Sequence, residues 1–149
     1  MAVKHFRLGA AAVLTALATV ASAAPTCTIT GANGPIFGVY DVNSTLSVDA
    51  AGSINYSCTG SAKPEVRLSS GAGGSFFPRA MVGASSRLRY NLYLDAGRSQ
   101  IWGEGSGGTH TYQGPAGNSR SVPVFGRIPP LQDVAPGTYS DTIVVTFVF

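Results

Sequence analysis

Charge is scarce in this 149-residue chain. Asp, Glu, Lys and Arg together make up 11% of it, less than half of the ~25% usual for soluble domains. Intrinsic disorder needs high charge and few aromatics, so with 44% hydrophobic residues it is excluded. Glu, Lys and Leu are too sparse and glycine, at 19 residues, too frequent for a coiled coil. Histidine and cysteine occur twice each and tryptophan once. There is no C-x-x-C pair, no G-x-S-x-G elbow and no S-x-x-K. No internal repeat, long linker or shift in composition divides the chain, and its length suits one domain.

The first 23 residues have the order of a secretory signal. Lys4, His5 and Arg7 form a short positive region, residues 8–20 (LGAAAVLTALATV) an apolar run, and Ala21-Ser22-Ala23 a small-residue cleavage site. The run is shorter than the ~20 residues of a spanning helix. The reading is therefore a signal peptide at 1–23 and one exported domain at 24–149. Removing Lys4 and Arg7 from the ten basic residues leaves eight against seven acidic ones, a net charge of +1. No basic surface remains to neutralise phosphates, so nucleic acid is not an expected partner.

Export puts Cys27 and Cys58 in a compartment where disulfides persist. One bridge is expected, closing a 32-residue loop and stabilising the fold by roughly 3–4 kcal/mol on the chain-entropy model. Free thiols or a metal site are the alternatives. Only His110 is left to complete a Cys/His ligand set, so a metal fits poorly.

Catalytic chemistry finds little material. His110 is the one side chain of near-neutral pKa, and it sits between two threonines in the Gly-rich stretch 103–117. The acids Asp41, Asp49, Glu65, Asp95, Glu104, Asp133 and Asp141 fall mostly at turns or strand starts, where backbone geometry favours Asp. Gly103-Glu104-Gly105-Ser106-Gly107-Gly108 has neither the lysine nor the following helix of a phosphate loop. Trp102 reads as core or loop packing. No catalytic residue, metal, cofactor or small-molecule substrate is expected.

Alternation with period two recurs where helical periodicity does not. Ile54, Tyr56 and Cys58 alternate with polar neighbours; Val66 and Leu68 flank Arg67; Leu88, Tyr90, Leu92 and Leu94 form the cleanest strand. In 121–128 (SVPVFGRI), Gly126 suggests a bulge and Pro123 an edge or a local interruption. Residues 49–52, 71–74, 95–97 and 136–137 read as turns and 103–117 as a long loop. Such spacing predicts an antiparallel sandwich or barrel. The last segment, 141–149 (DTIVVTFVF), is apolar on both faces. It is expected either at the centre of a sheet, which the pattern alone favours, or at an edge that pairs with a partner chain.

An ordered set of short motifs carries a resemblance. Cys27 is followed by Phe37-Gly38-Val39-Tyr40, then Gly52-Ser53-Ile54-Asn55-Tyr56-Ser57-Cys58 and Leu68-Ser69-Ser70-Gly71. Next come Arg79-Ala80-Met81, Leu88-Arg89-Tyr90-Asn91-Leu92-Tyr93 with Asp95, and Trp102-Gly103-Glu104-Gly105. Phe125-Gly126-Arg127-Ile128-Pro129 and Pro136-Gly137-Thr138-Tyr139-Ser140-Asp141-Thr142 close the series. The order resembles the spore coat protein U domain family, which includes subunits of archaic chaperone–usher pili.

The resemblance implies an all-β fold: an immunoglobulin-like antiparallel β-sandwich incomplete by one strand, with one disulfide joining Cys27 in the first strand to Cys58 in the second. It implies a non-enzymatic structural subunit of a pilus or related surface assembly, acting in adhesion and biofilm, with a periplasmic chaperone, an outer-membrane usher and other pilus subunits as partners. Ile143, Val145, Phe147 and Phe149 would wall the acceptor groove, with Val144 and Val148 on the opposite side. The protein would cross the periplasm and end on the cell surface. Only Ala24, Pro25 and Thr26 separate the expected cleavage site from Cys27, too few to span a groove of ~17 Å or more. The expectation is a subunit that accepts a strand without donating one, at a tip or minor position. A self-sufficient secreted coat or carbohydrate-binding module is the alternative.

Overall fold

The computed structural model describes residues 24–149, so the expected signal peptide lies outside the described residues. Alternating side chains build eight strands: β1 (Cys27–Asn33), β2 (Val48–Cys58), β3 (Glu65–Leu68), β4 (Arg79–Val82), β5 (Arg87–Tyr93), β6 (Tyr112–Gln113), β7 (Arg120–Ile128) and β8 (Val145–Val148). All pairings are antiparallel. One sheet has the order β1-β2-β7-β5-β4 and the other β6-β3-β8. No helix occurs among the described residues.

The core lies between the two sheets. Leu88, Tyr90 and Leu92 of β5, Val122, Val124 and Ile128 of β7, and Ile54 and Tyr56 of β2 turn inward. They meet Val66 and Leu68 of β3 and, partly buried, Val145 and Phe147 of β8. Cys27 and Cys58 are directly opposite across β1 and β2 and form the expected disulfide. Trp102 is fully buried, its indole N–H donating to Val66 O at 2.9 Å.

Three local expectations are corrected. Residues 49–52, expected as a turn, run inside β2 opposite 124–127 of β7. Their small size serves a crossing: a Cβ on Gly52 would lie 2.1 Å from Asn33 O and 2.7 Å from the Gly34 carbonyl carbon. The chain leaves β1 directly over that glycine. Gly126 makes no bulge, since β7 keeps its register with β2 throughout; it is small because the Phe37 ring sits where its Cβ would be, 2.5 Å away. The irregularity lies instead in β1, between Ile29 and Gly31. Finally, the 103–117 stretch is partly ordered: it contains β6, and His110 bridges to Trp102.

Pro123 behaves as its chemistry requires. It lies on β7 opposite Ser53, but β5 covers β7 only from Phe125 to Arg127. The proline therefore occupies the half of β7 with no second neighbour, where a missing N–H costs no ladder bond.

Candidate functional site

The terminal strand supplies the site. The segment 141–144 runs irregularly along Ser69, and β8 then pairs with β3 in the register Leu68↔Val145, Arg67↔Thr146, Val66↔Phe147, Glu65↔Val148. Among the described residues no strand flanks β8 on its other side, so it is an edge and not the centre of its sheet. The central placement favoured by the apolar pattern is thereby corrected: burial on both faces was read from composition, whereas one face is left partly open, with Val144 60% and Val148 43% exposed.

Three hydrogen bonds fix which peptide groups face outward. Ser69 N–H donates to Val144 O at 3.0 Å, so Val144 turns its carbonyl toward β3. Leu68 N–H donates away from β8, to Gly103 O at 3.1 Å. Val66 O accepts the Trp102 indole N–H, again away from β8. Leu68↔Val145 and Val66↔Phe147 are therefore the non-hydrogen-bonded pairs of the ladder. By the period of two, Val145 and Phe147 direct their N–H and C=O groups to the free edge. Their side chains and that of Ile143 pack against the core, Phe147 edge-to-face with Tyr56 at 5.4 Å.

Beside this edge lies a cleft of about 1260 Å³. Its floor is the inner face of the larger sheet: Ile54, Leu88, Tyr90, Leu92, Val124 and Ile128. One wall is the segment 32–42, which leaves β1 over Gly52; the other is 134–141. Of the four residues expected to line a groove, Ile143 lines this cleft. Val145 and Phe147 sit in the adjoining core, and Phe149 is largely exposed at the end of the strand.

One cluster of paired polar groups, around Asp141, sits at the cleft. Asp141 accepts the Tyr90 hydroxyl at 2.6 Å and the N–H groups of Ala72 at 2.7 Å and Thr142 at 2.8 Å. Burial, followed by the hydrogen bond to Asp141, pushes the Tyr90 phenol up from its ordinary value, so it remains a neutral donor. His110 and Glu104 are exposed in the loop above Trp102, with no nucleophile bonded to either side chain.

A model of the Spore Coat Protein U domain matches residues 11–146, almost the whole chain. The chain belongs to the spore coat protein U domain family. It is 39% identical over 126 residues to Protein U of Myxococcus xanthus, a match covering 76% of this chain and 70% of that protein. Its fold is also similar to a chain in the crystal structure of the CsuC–CsuE chaperone–tip adhesion subunit pre-assembly complex from archaic chaperone–usher Csu pili of Acinetobacter baumannii. The TM-score there is 0.60 at 21% identity, over 84% of this chain and 40% of the matched one.

One element of this coat-protein-U domain carries no sequence signal of its function in the fold. Arg79 is fully buried, beneath the start of the terminal segment. Its Nε and Nη2 donate to Ser69 O at 3.0 and 2.8 Å, Nη2 also to Trp102 O at 2.7 Å, and Nη1 to Asn91 Oδ1 at 2.9 Å. The Phe76 ring lies 4.9 Å from the guanidinium carbon. Burial lowers its pKa to about 10, so it stays charged at neutral pH. Arg79 thus fixes Ser69, the residue on which Val144 docks by both its N–H and its C=O. An isolated arginine in a sequence looks like surface; only the carbonyls converging on it make it core.

Proposed function

We propose that this chain is a non-enzymatic structural subunit of a chaperone–usher pilus or a related cell-surface assembly, and that its sandwich is completed by an extended strand from another chain. The observation that carries this reading is the free edge of β8, whose Val145 and Phe147 peptide groups face outward, next to an apolar cleft that Ile143 lines. An added strand gains affinity from main-chain bonds and register from alternate side chains. Four inserted apolar side chains would contribute roughly 6–12 kcal/mol gross at ~1.5–3 each, comparable to the cost of association. The backbone ladder then decides whether the strand stays.

The donor is a periplasmic chaperone first and another pilus subunit afterwards, with an outer-membrane usher at the exchange. The chaperone–subunit complex from chaperone–usher pili that is named for the structural neighbour supports these partners. With cleavage after Ala23 the domain accepts a strand without donating one, which suits a tip or minor subunit in adhesion and biofilm. An exported N-terminus well upstream of Ala24 sinks that part of the reading.

The test is soluble periplasmic yield and urea unfolding, with and without the chaperone encoded nearest the gene. Expected are a low yield alone and a stable one-to-one complex, lost when residues 143–149 are deleted. A good yield alone, one cooperative transition and no chaperone binding would leave a self-sufficient secreted coat module instead.

A further inference from the structure

Both walls of the cleft are irregular segments, yet both are tied to the β4–β5 hairpin: the first to Arg89 of β5, the second to Val82 at the end of β4 and Ser86 in the turn. In the first wall, the Tyr40 hydroxyl donates to Pro129 O at 3.1 Å and accepts the Gln132 backbone N–H at 2.8 Å. Gln132 is itself docked on β5. Its Oε1 accepts the Arg89 N–H at 2.8 Å, and its Nε2 donates to Arg89 O at 2.9 Å and to Pro129 O at 3.0 Å. The β5–β7 ladder covers only Asn91 to Tyr93, so before Asn91 this carboxamide stands in for a strand. It satisfies both the donor and the acceptor of Arg89.

The second wall is held from the other side. The Tyr139 hydroxyl donates to Ala135 O at 2.5 Å and pairs with Ser86 Oγ, which also accepts the Ala135 N–H at 3.1 Å. Its ring lies on Gly83, where a Cβ would come within 2.6 Å. Ser140 and Val82 exchange backbone bonds of 3.1 and 2.8 Å. No strand forms between β7 and β8, so these side chains, with the single bridge at Ser140, do the work of a ladder.

We propose that Tyr40, Gln132 and Tyr139 are positioning residues that hold the two walls apart in a strand-accepting shape before a strand arrives. This rests on the strand-accepting reading above and adds how the cleft is kept ready. Apolar walls with nothing between them gain by closing. Their polar clamps turn them instead toward the β4–β5 hairpin, and each hydroxyl is already committed, that of Tyr40 to Pro129 and Gln132 and that of Tyr139 to Ala135 and Ser86. Apparent affinity scales with the fraction of molecules in the competent shape, so losing a clamp reduces binding without removing any contact to the strand.

The experiment uses the chain purified from the small soluble fraction it yields on its own and a dye-labelled synthetic 15-residue peptide of alternating valine and threonine with lysines at both ends, followed by stopped-flow anisotropy. With the wild type, the observed rate should rise linearly with peptide concentration. Tyr40→Phe, Gln132→Glu and Tyr139→Phe should each weaken binding about tenfold, and their rates should level off at a plateau set by reopening of the walls. Tyr93→Phe, on β5 outside the cleft, should behave as wild type. Linear, wild-type-like rates in all three variants would overturn the proposal. So would lowered urea midpoints with linear rates, the signature of a merely structural role. Gln132→Glu keeps the acceptor for the Arg89 N–H and removes only the donor to Arg89 O and Pro129 O, so it stays informative if a tyrosine variant fails to fold. If the wild type captures no peptide at all, strand acceptance itself falls and this inference with it.

Discussion

Replacing Val145 by proline should separate the stability of the domain from its capacity to take a strand. The Val145 N–H points to the free edge, because Leu68, its partner on β3, forms a non-hydrogen-bonded pair with it. Proline there removes no bond of the β3–β8 ladder, and an edge strand tolerates it on that side. Val145→Ala is the proper reference, since both variants lose the partly buried isopropyl group. The free domains should then agree within about 0.5 kcal/mol in urea unfolding, the usual range for a change that touches no named interaction. An added strand would meet a missing donor, leaving one of its carbonyls without a partner at ~1–3 kcal/mol. That is a roughly 5- to 150-fold loss of affinity for the chaperone or for a strand peptide. Thr146→Pro is the mirror control. Its N–H faces Arg67 on β3, so it should lower stability by ~1–3 kcal/mol before any partner is added. Equal binding by Val145→Pro and Val145→Ala, or equal destabilisation by the two prolines, would refute the assignment of the outward edge.

Arg79→Met should cost about 3–5 kcal/mol in urea unfolding, because Ser69 O, Trp102 O and Asn91 Oδ1 all lose their donor together; a loss under 1 kcal/mol would show that water replaces the guanidinium. Gly126→Ala should displace the Phe37 ring, which sits 2.5 Å from the new methyl, at ~1–3 kcal/mol, with a change in near-ultraviolet circular dichroism from the Phe37–Tyr90 contact. Asp49 is held below its ordinary value chiefly by its hydrogen bond from Arg127. Its contribution is therefore complete above the unfolded value of 3.8 and is lost as pH falls through it toward the lower folded value. Urea midpoints measured from pH 6 to pH 3 should fall less steeply in Asp49→Asn than in the wild type.

The strands with strict alternation were readable directly. Leu88, Tyr90 and Leu92 face inward as their spacing demands, and Pro123 marked the half of β7 that lacks a neighbour. Features set by what passes nearby were not readable. Asp49-Ala50-Ala51-Gly52 has the composition of a turn, yet it is a strand kept small beneath the departing end of β1. Gly126 looked like a bulge because a sequence does not say that Phe37 will lie on it. The terminal segment announced itself as a strand, but its rank in the sheet depends on a partner nearly eighty residues away, as from Leu68 to Val145, or in another chain. For the same reason its apolar composition fitted the centre as well as the edge. The clamps at Tyr40, Gln132 and Tyr139 carry no local pattern at all, since each bonds across an irregular segment to a residue chosen by the fold.

The clasp between Cys27 and Cys58 has a mechanical consequence. Tension applied to the chain ahead of Cys27 first meets the Thr26–Thr59 bonds, three through backbone groups at 2.8, 3.1 and 3.4 Å and one between the hydroxyls at 3.0 Å, all of which lie outside the disulfide. Once these yield, the pull passes through the covalent link into the end of β2, which is flanked by β1 on one side and β7 on the other. The β1–β2 ladder is thus spared from being unzipped one rung at a time. The domain gives a few ångströms of slack and then stops, as a tether with a fixed knot behind a short elastic lead.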